Sequence, residues 1–495
     1  MKKISALTLA GLMTCTCGFA AEVHDNFYWL GQINKATCVI NTDQGLVSPE
    51  QGQRFAKSID QVLKDGSQKG AVRPKLVITF EPLLIKACGS EEITMLHAGR
   101  SSQDMLSTVK FAQTREELIN LAQELNLMQA SLYKLAKDNE NTLIPNYTNG
   151  VAAQPNSLAH YLLGYAYAFE RDLERLNQYY TRLNRSPMGA MVLNGTGWPL
   201  NRDRMASYLG FDGLAYNTYD AGQVYTAESP VEAASCCNTI ALHMTSFIEE
   251  IMQQYAQPHP WMLLKEGGNN TYVSSAMPQK RNPGLLNRVR TQSSTILAEG
   301  TGALFRAHNI PAGMADGRSG SDKLLKDTAA AVKGFNQILN NLVIDPERSL
   351  AELDLDWTCS QEIADQLMLK YNVPFRTGHH FASEIVGYAR PNNVTPSTFT
   401  YAKAQEIYAK LAANDKEIPQ VLPLTEEEFK ACLNPASIVA RRAVKGGPQA
   451  KELEIMFKQI ASKNKAHTNW VDEIKAQQQN AEAKLNSDFA KLLQK

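Results

Sequence analysis

The apolar residues of this chain follow a helical period along much of its length. The clearest case begins at Thr114, which forms the pattern of a helix-capping box with Glu117. The apolar side chains that follow at three- and four-residue spacing are Leu118, Leu121, Ala122, Leu125, Met128, Leu132 and Leu135. This spacing predicts an amphipathic helix with one wide apolar face, starting near Thr114.

Further segments show the same period and predict long helices. They cover residues 157–183, 231–255, 284–308 and 322–343. The charged tail from about Lys451 also has a helical pattern, which we interpret as a solvent-exposed helix. Alternating strand patterns are almost absent, and one short apolar run at 76–80 fits a helix or a strand equally well. The pattern therefore predicts a helical body.

Residues that break helices are concentrated in three segments. Residues 139–154, 266–283 and 310–320 are rich in Pro, Gly and Asn. We predict three irregular segments at these places. Because loops that a rigid scaffold positions often carry functional residues, these segments are the first places to search for a site.

The N-terminus has the pattern of a secretory signal peptide. Lys2 and Lys3 precede an apolar stretch that ends near Phe19, and Gly18 and Ala20 are small residues at the positions that a signal peptidase recognises. This pattern predicts cleavage after Ala20 and a periplasmic or secreted protein. A retained N-terminal anchor is the alternative.

Composition and charge exclude several classes of protein. The chain has 495 residues, and its 50 basic and 50 acidic residues give a formal net charge of zero. This balance offers no electrostatic case for nucleic acid or an anionic membrane as a partner. Beyond the N-terminus, no apolar run is long enough to span a bilayer, so we expect no membrane association after the leader is removed.

The cysteines and histidines do not form a metal-binding pattern. The cysteines beyond the leader are Cys38, Cys88, Cys236, Cys237, Cys359 and Cys432. One or two disulfides and buried free thiols are both compatible with these positions. The chain has no Cys-x-x-Cys or His-Glu-x-x-His motif, and its nine histidines include one adjacent pair, His379 and His380. We therefore predict no metal and no cofactor.

The most specific string in the chain is SSAMPQKRNP at 274–283. It resembles the signature loop of the fumarase/aspartase superfamily, Gly-Ser-Ser-x-Met-Pro-x-Lys-x-Asn-Pro, at every fixed position except the first, where Val273 replaces Gly. HAGRSSQD at 97–104 is similar to the HTGRSRND block of argininosuccinate lyases. YTN at 147–149 with AQP at 153–155 is similar to their YTH and AQP block. With shorter matches, the resemblance covers roughly residues 25–450.

This resemblance implies an all-α fold in three domains. The central domain would contribute five long helices to the bundle of a homotetramer, and each active site would be built from three subunits. The domains predicted on this basis are a signal peptide at 1–20, an N-terminal helical domain at 21–103, a central long-helix bundle domain at 104–367 and a C-terminal helical domain at 368–495.

The family reaction is a β-elimination from a substituted succinate that releases fumarate. By the match, Ser274 holds the position of the catalytic serine, and Lys280 and Asn282 supply a cation and amide donors for a substrate carboxylate. A serine hydroxyl serves as a base only where its alkoxide is stabilised. Gly267 and Gly268 are candidate hinges for this loop. The alternative is an ordinary turn, with Lys280 in solvent and Ser274 capping the next helix.

Other positions match residues that bind substrate in the family. They are Gln32, Ser102, Gln103, Thr148, Asn149 and Gln154. Thr148, Ser102 and Gln103 would supply donors to the second carboxylate of a small dicarboxylate substrate.

The family acid–base pair is replaced in this chain. The family has His after the Thr of its second block and Glu just after the signature, whereas this chain has Asn149 and Asn287. An amide does not exchange a proton near neutral pH, so the usual proton relay is missing. Two amides can instead hydrogen-bond each other. His160 is a candidate substitute, with packing along its own helix as the alternative.

The positions that recognise the amine also differ. Met314 and Ser319 stand where argininosuccinate lyases have Tyr and Gln, and Lys323 is one residue out of register with their Lys. Gln32 replaces a substrate-contacting Ser, and Gln103 replaces an Asn. These differences disfavour argininosuccinate as the substrate.

Three functions remain open at this point. The leading prediction is an exported, argininosuccinate lyase-like carbon–nitrogen lyase that cleaves an N-substituted aspartate to fumarate and an amine. The second is a periplasmic dicarboxylate-binding protein that has lost catalysis. The third is another elimination or an isomerisation on the same fold.

Overall fold

The computed structural model describes residues 24–314 and 320–494, and their fold is all-α, as predicted. The predicted signal peptide and Ser319 lie outside the described residues. The helices are α1 Asn26–Asp43, α2 Pro49–Gly66, α3 Val77–Cys88, α4 Ser102–Asp138, α5 Leu158–Leu183, α6 Arg202–Tyr208, α7 Tyr225–Ala256, α8 Gly284–Ala307, α9 Asp322–Asn340, α10 Pro346–Leu355, α11 Ser360–Tyr371, α12 Phe375–Ala389, α13 Tyr401–Ala412, α14 Glu426–Leu433, α15 Pro435–Arg441 and α16 Ala450–Gln494.

Five long helices, α4, α5, α7, α8 and α9, form the centre of the molecule. Helix α4 packs against α5 and α9, and α7 packs against α5, α8 and α9. Their apolar faces share one large core with α1, α2 and part of α16. The predicted long helices are confirmed, and α5 begins where expected because the Ser157 side chain caps it by accepting from the backbone N–H of His160.

The predicted start of α4 is wrong. The helix begins at Ser102 and continues through Thr114, which is buried in its interior. The capping box that starts the helix is formed by Ser101 and Asp104, a pair with the same spacing as Thr114 and Glu117. Since the apolar period also extends upstream of Thr114, one continuous helix buries more surface than two shorter ones.

Strands occur as short antiparallel ribbons. They are β1 Leu143–Thr148 with β2 Val151–Ser157, β3 Met262–Leu264 with β6 Leu342–Ile344, and β4 Tyr272–Val273 with β5 Arg281–Asn282. The sequence predicts an irregular segment at 139–154, but most of it belongs to the first ribbon, so that prediction is wrong. Asn149 and Gly150 both have positive φ, at 53° and 75°, and form the two-residue turn that a hairpin needs.

Residues 357–438 contain a second apolar core. Helix α16 follows this segment but packs against α1, α2, α4, α5 and α6. The tail is therefore helical, as predicted, but one of its faces is buried, because Met456, Phe457 and Ile460 continue the apolar period that its many charges obscure. The domain boundaries at 103 and 367 stay a prediction.

The described residues show the state of the cysteines and allow a search for metal sites and membrane-spanning helices. Cys38, Cys236, Cys237, Cys359 and Cys432 are buried free thiols, and Cys88 is a half-buried one. Within residues 24–314 and 320–494, no group of three or more His, Cys, Asp or Glu side chains is placed to hold a metal ion. None of the helices in these same ranges has the length and apolar character needed to cross a membrane.

Candidate active site

The signature string forms an exposed ribbon between α7 and α8. Strands β4 and β5 pair Tyr272 with Asn282 and Val273 with Arg281. The backbone N–H of Ser274 donates to the carbonyl of Lys280 at 3.1 Å, which closes the loop between the strands. Ser274, Lys280 and Asn282 are therefore brought together on one short ribbon.

The Ser274 hydroxyl oxygen lies opposite two backbone donors. The N–H groups of Met277 and Ala276 approach it at 3.2 Å and 3.4 Å. Such N–H groups stabilise negative charge on the oxygen they face, which is the condition for a serine to act as a base. Ser274 is half-buried, so its oxygen remains within reach of a ligand.

Lys280 is an exposed cation. Neither a hydrogen bond nor an ion pair joins its ammonium group to any residue in the described parts of the chain. The Asn282 side-chain Nδ2 donates to the Tyr272 carbonyl at 3.4 Å, a long and weak bond. Gly267 and Gly268, before the ribbon, have φ of 87° and 56° with open space around them. The ribbon thus carries a weakly held amide two positions after a cation that has no partner among the described residues.

A buried carboxylate fixes the start of α4, where Ser102 and Gln103 lie. Asp104 is 0% exposed, and its Oδ2 accepts from the backbone N–H groups of Gly189 at 3.0 Å and Met191 at 3.1 Å. Its Oδ1 accepts from the N–H of Ser101 at 2.9 Å. Burial raises the pKa of this carboxyl, and the N–H groups oppose that rise. Asp104 was missed as a positioning residue, although the Ser101-x-x-Asp104 spacing carries the signal.

Gln103 is tied to a π-helical turn, Asp220–Val224, that leads into α7. Its Nε2 donates to the carbonyl of Gly222 at 2.5 Å, which leaves one amide hydrogen for a ligand. A Cβ on Gly222 would lie 2.7 Å from the carbonyl oxygen of Val192, so this turn requires glycine. The neighbouring Ser102 side chain is exposed.

Thr148 and Asn149 lie at the exposed tip of the β1–β2 hairpin. Thr148 pairs with Val151 to close the turn, and Asn149 occupies its first left-handed position. Asn tolerates that conformation better than most residues with a side chain. The residue that replaces the family's His therefore has a structural role as a turn former.

The two asparagines that replace the acid–base pair do not meet within one chain. The Asn287 Oδ1 accepts from Arg290 on its own helix at 3.4 Å, and no hydrogen bond joins Asn287 to Asn149. His160 is also held elsewhere, with its Nε2 2.9 Å from the carbonyl oxygen of Gly446. Its Nδ1 is buried without a hydrogen-bond partner.

The predicted residues occupy separate places in the single chain. Thr148 and Gln154 line one cavity of about 600 Å³, and none of the ribbon or α4 residues lines it. Gln32 lines a different cavity, beside Arg115 and Gln478 of α16, and its Oε1 is buried without a hydrogen-bond partner. The structure thus brings together Ser274, Lys280 and Asn282 on the ribbon, and separately Ser102 with Gln103.

A hydrogen-bond network behind the hairpin was also missed from the sequence. The Tyr147 hydroxyl donates to the Glu352 carboxylate at 2.5 Å and accepts from Trp261 Nε1 at 3.1 Å and from Gln254 Nε2 at 3.2 Å. Burial, followed by the Glu352 carboxylate, raises the pKa of the Tyr147 hydroxyl. These residues come from distant parts of the chain, so no local pattern could reveal them.

The long-helix core and the signature ribbon define a protein of the fumarase/aspartase superfamily. A family model described as lyase matches residues 19–297, and one described as the C-terminal domain of argininosuccinate lyase matches residues 358–440. The chain belongs to this lyase family and lies close to argininosuccinate lyase.

Individual relatives agree with this assignment. The chain is 27% identical over 429 residues to argininosuccinate lyase of Methanosarcina acetivorans, covering 85% of this chain and 84% of that enzyme. It is 30% identical over 420 residues to argininosuccinate lyase of Methanocorpusculum labreanum, covering 83% and 82%. The fold is similar to that of EDDS lyase in complex with formate, with a TM-score of 0.87, 24% identity and coverage of 95% and 92%. It is also similar to class II fumarase of Schistosoma mansoni, with a TM-score of 0.65, 15% identity and coverage of 84% and 91%.

Proposed function

We propose that this protein is a carbon–nitrogen lyase that cleaves an N-substituted aspartate to fumarate and an amine. The observation that carries the proposal is the β4–β5 ribbon. It carries a serine oxygen that faces two N–H groups, and its backbone joins this serine to Lys280, whose ammonium group has no partner among the described residues, in a chain that belongs to the lyase family. Relatives named argininosuccinate lyase support a carbon–nitrogen reaction in particular.

In the proposed reaction, Ser274 acts as the base. As an alkoxide that has given its own proton to water, it removes a proton from the carbon next to one carboxylate, and Lys280 and Asn282 stabilise the charge that develops on that carboxylate. The carbon–carbon double bond of fumarate then forms as the carbon–nitrogen bond breaks. The nitrogen keeps the bonding electron pair and takes a proton from water, because neither Asn149 nor Asn287 can donate one.

The proposed site is shared between copies of the chain in a homotetramer. The supporting observation is that Thr148 at the hairpin tip lines a cavity that neither Gln103 on α4 nor Lys280 on the ribbon lines within one chain. We infer that neighbouring copies complete the site. Light scattering should give the mass of four chains, and a monomer that is fully active would contradict the shared site.

The reverse reaction tests the chemistry. The chain from Ala21 onward is incubated with fumarate and a panel of amines, and NMR detects any N-substituted aspartate. We expect Ser274→Ala to abolish product formation and Ser275→Ala, a matched change at the exposed neighbouring residue, to leave it within about threefold. Equal activity of the two variants would rule out Ser274 as the base.

The second candidate is a dicarboxylate-binding protein that has lost catalysis. The observation that favours it is Asn149, which serves the hairpin turn where the family's His would serve proton transfer. Calorimetry should then detect binding of fumarate or succinate, while NMR detects neither its consumption nor an added amine. If NMR instead shows isomerised or oxygen-containing products, a different reaction on the same fold is supported.

We further propose that the protein is exported to the periplasm or secreted. The supporting observations are the leader pattern and the family match, which begins only at residue 19. The mature protein, isolated from the periplasmic fraction, should have Ala21 at its N-terminus. Recovery of the full-length chain from the cytosol would contradict this proposal.

A further inference from the structure

The cavity of about 600 Å³ lies between the β1–β2 hairpin and the end of α7, and its lining is unusual in charge. We call it the amide-lined cavity, because Gln154, Gln253, Gln254, Gln257 and Gln361 all line it. Among the described residues that line it, Glu250 is the one with a charged side chain, and none is Lys, Arg or His. A dicarboxylate would meet a like charge here and no cation, so this cavity suits a different part of a substrate.

Glu250 is a half-buried carboxylate with no basic side chain paired with it among the described residues. This carboxylate is half-buried, and its Oε1 accepts from the Tyr165 hydroxyl at 3.0 Å. It forms no ion pair with any residue of the described chain. A carboxylate partly removed from water and left without a cation has much to gain from binding one.

Aromatic and hydroxyl groups complete the cavity wall around Glu250. The Tyr161 hydroxyl is buried and interacts with Glu250 and with the Tyr165 hydroxyl, and the Tyr161 and Tyr165 rings pack edge to face at 5.4 Å. Trp261, 3% exposed, also lines the cavity. Aromatic faces attract organic cations, and amide oxygens accept hydrogen bonds from ammonium groups. A second carboxylate, Glu352, lies behind Tyr147 and adds to the negative field.

The cavity adjoins residues already assigned to the substrate. Thr148 and Gln154 line its hairpin side, and Gln154 Nε2 donates to Gln361 Oε1 at 2.7 Å across to α11. We propose that the amide-lined cavity binds an organic ammonium group, the second amino group of the amine released by the reaction, with Glu250 as its counter-charge. This inference rests on the proposed lyase function for the identity of the ligand, and the substrate class it names is an aspartate N-substituted with a diamine-like group.

A binding measurement tests the cavity without any turnover. The full mature chain is titrated by calorimetry with the diamine putrescine and with butane-1,4-diol, a neutral diol of the same length. We expect putrescine to bind at least about 10-fold more tightly, the order of one charge-assisted hydrogen bond. Glu250→Gln should remove the difference, and its amide oxygen still accepts from Tyr165. Glu249→Gln, a matched change at an exposed position outside the cavity, should keep it.

An activity measurement tests the assignment to the substrate. Fumarate is offered putrescine or n-pentylamine, which replaces one ammonium by a methyl group. We expect kcat/KM to favour putrescine by at least about 10-fold in the native protein and in Glu249→Gln, and by much less in Glu250→Gln. Equal use of the two amines, with no Glu250-dependent binding, would overturn this inference and leave the lyase proposal standing. Glu250-dependent binding with no amination of fumarate would overturn the substrate assignment together with the lyase proposal, while the cation site would stand.

Discussion

The Tyr147 hydroxyl is the junction that holds the hairpin against the rest of the molecule. Its single oxygen takes part in three hydrogen bonds, with Glu352 on α10, Gln254 on α7 and Trp261 just beyond α7. Tyr147→Phe keeps the ring and removes only this oxygen. The substitution therefore tests how much the hydroxyl contributes to placing Thr148 at the hairpin tip.

The size of the destabilisation follows from the groups that lose a hydrogen-bond partner. Two bonds join neutral groups, each worth about 0.5–1.5 kcal/mol, and the third involves a carboxylate and is worth about 1.5–3 kcal/mol. Trp261 and Gln254 are 3% and 2% exposed, so their donors stay unsatisfied after the change. Glu352 is half-buried, and water compensates for part of its loss. We expect the hairpin to be destabilised by about 2–4 kcal/mol.

Hydrogen exchange of the hairpin peptide 143–157, followed by mass spectrometry, measures this effect. Exchange should accelerate by about 30- to 700-fold if the hairpin opens locally. The control is Tyr408→Phe, which removes a buried hydroxyl of the second apolar core that has no hydrogen-bond partner. This control should leave exchange unchanged or slightly slower. If the two variants exchange at the same rate, the network does not anchor the hairpin.

Three other predictions concern burial. Alkylation of the native protein near neutral pH should label half-buried Cys88 well before Cys38, because burial raises the pKa of the Cys38 thiol to about 12. Mass spectrometry of tryptic peptides measures the labelling, and equal labelling of the two cysteines would contradict this prediction. Burial likewise raises the pKa of the Tyr180 hydroxyl to about 12. The stability that its neutral form provides is therefore fully present below about pH 10 and is lost as the pH rises towards 12. An ultraviolet titration in which Tyr180 ionises at pH 10 while the protein stays folded would refute this. Gly222→Ala should lower the free energy of unfolding by about 1–3 kcal/mol and weaken fumarate binding, because the new Cβ would lie 2.7 Å from a backbone oxygen. The control is Gly164→Ala on α5, which has open space around it and should raise the melting temperature or leave it unchanged.

The sequence pattern predicts elements well where one local signal dominates. Helix α5 begins at its Ser157 cap because the cap and the apolar period agree. The start of α4 could not be chosen correctly from one window, since Thr114 and Ser101 both begin a plausible capping box. The sequence analysis does not predict the hairpin, because Asn149-Gly150 has the composition of a helix-breaking segment, although the same pair is also a strong hairpin turn.

The candidate site also has parts that the sequence predicts and parts that it does not. Ser274, Lys280 and Asn282 are close in sequence, so a motif could place them together on the β4–β5 ribbon. The amide-lined cavity could not be predicted, because Glu250, Tyr161 and Gln361 belong to three helices that meet only through tertiary packing. Asp104 shows an intermediate case, in which a local cap was visible but its bonds to Gly189 and Met191 were not.

The packing of α16 on α1 has a consequence for synthesis. Tyr28 of α1 donates to Glu482 of α16 at 2.9 Å across 454 positions of sequence. Helix α1 ends at Asp43 and α16 begins at Ala450, so α1 leaves the ribosome long before its partner is made. At about 5–20 residues per second, this interval lasts about 20–80 seconds. During that time the parts of α1 and α2 that pack against α16 stay uncovered. The growing chain therefore offers a prolonged binding opportunity to chaperones before its two ends can meet.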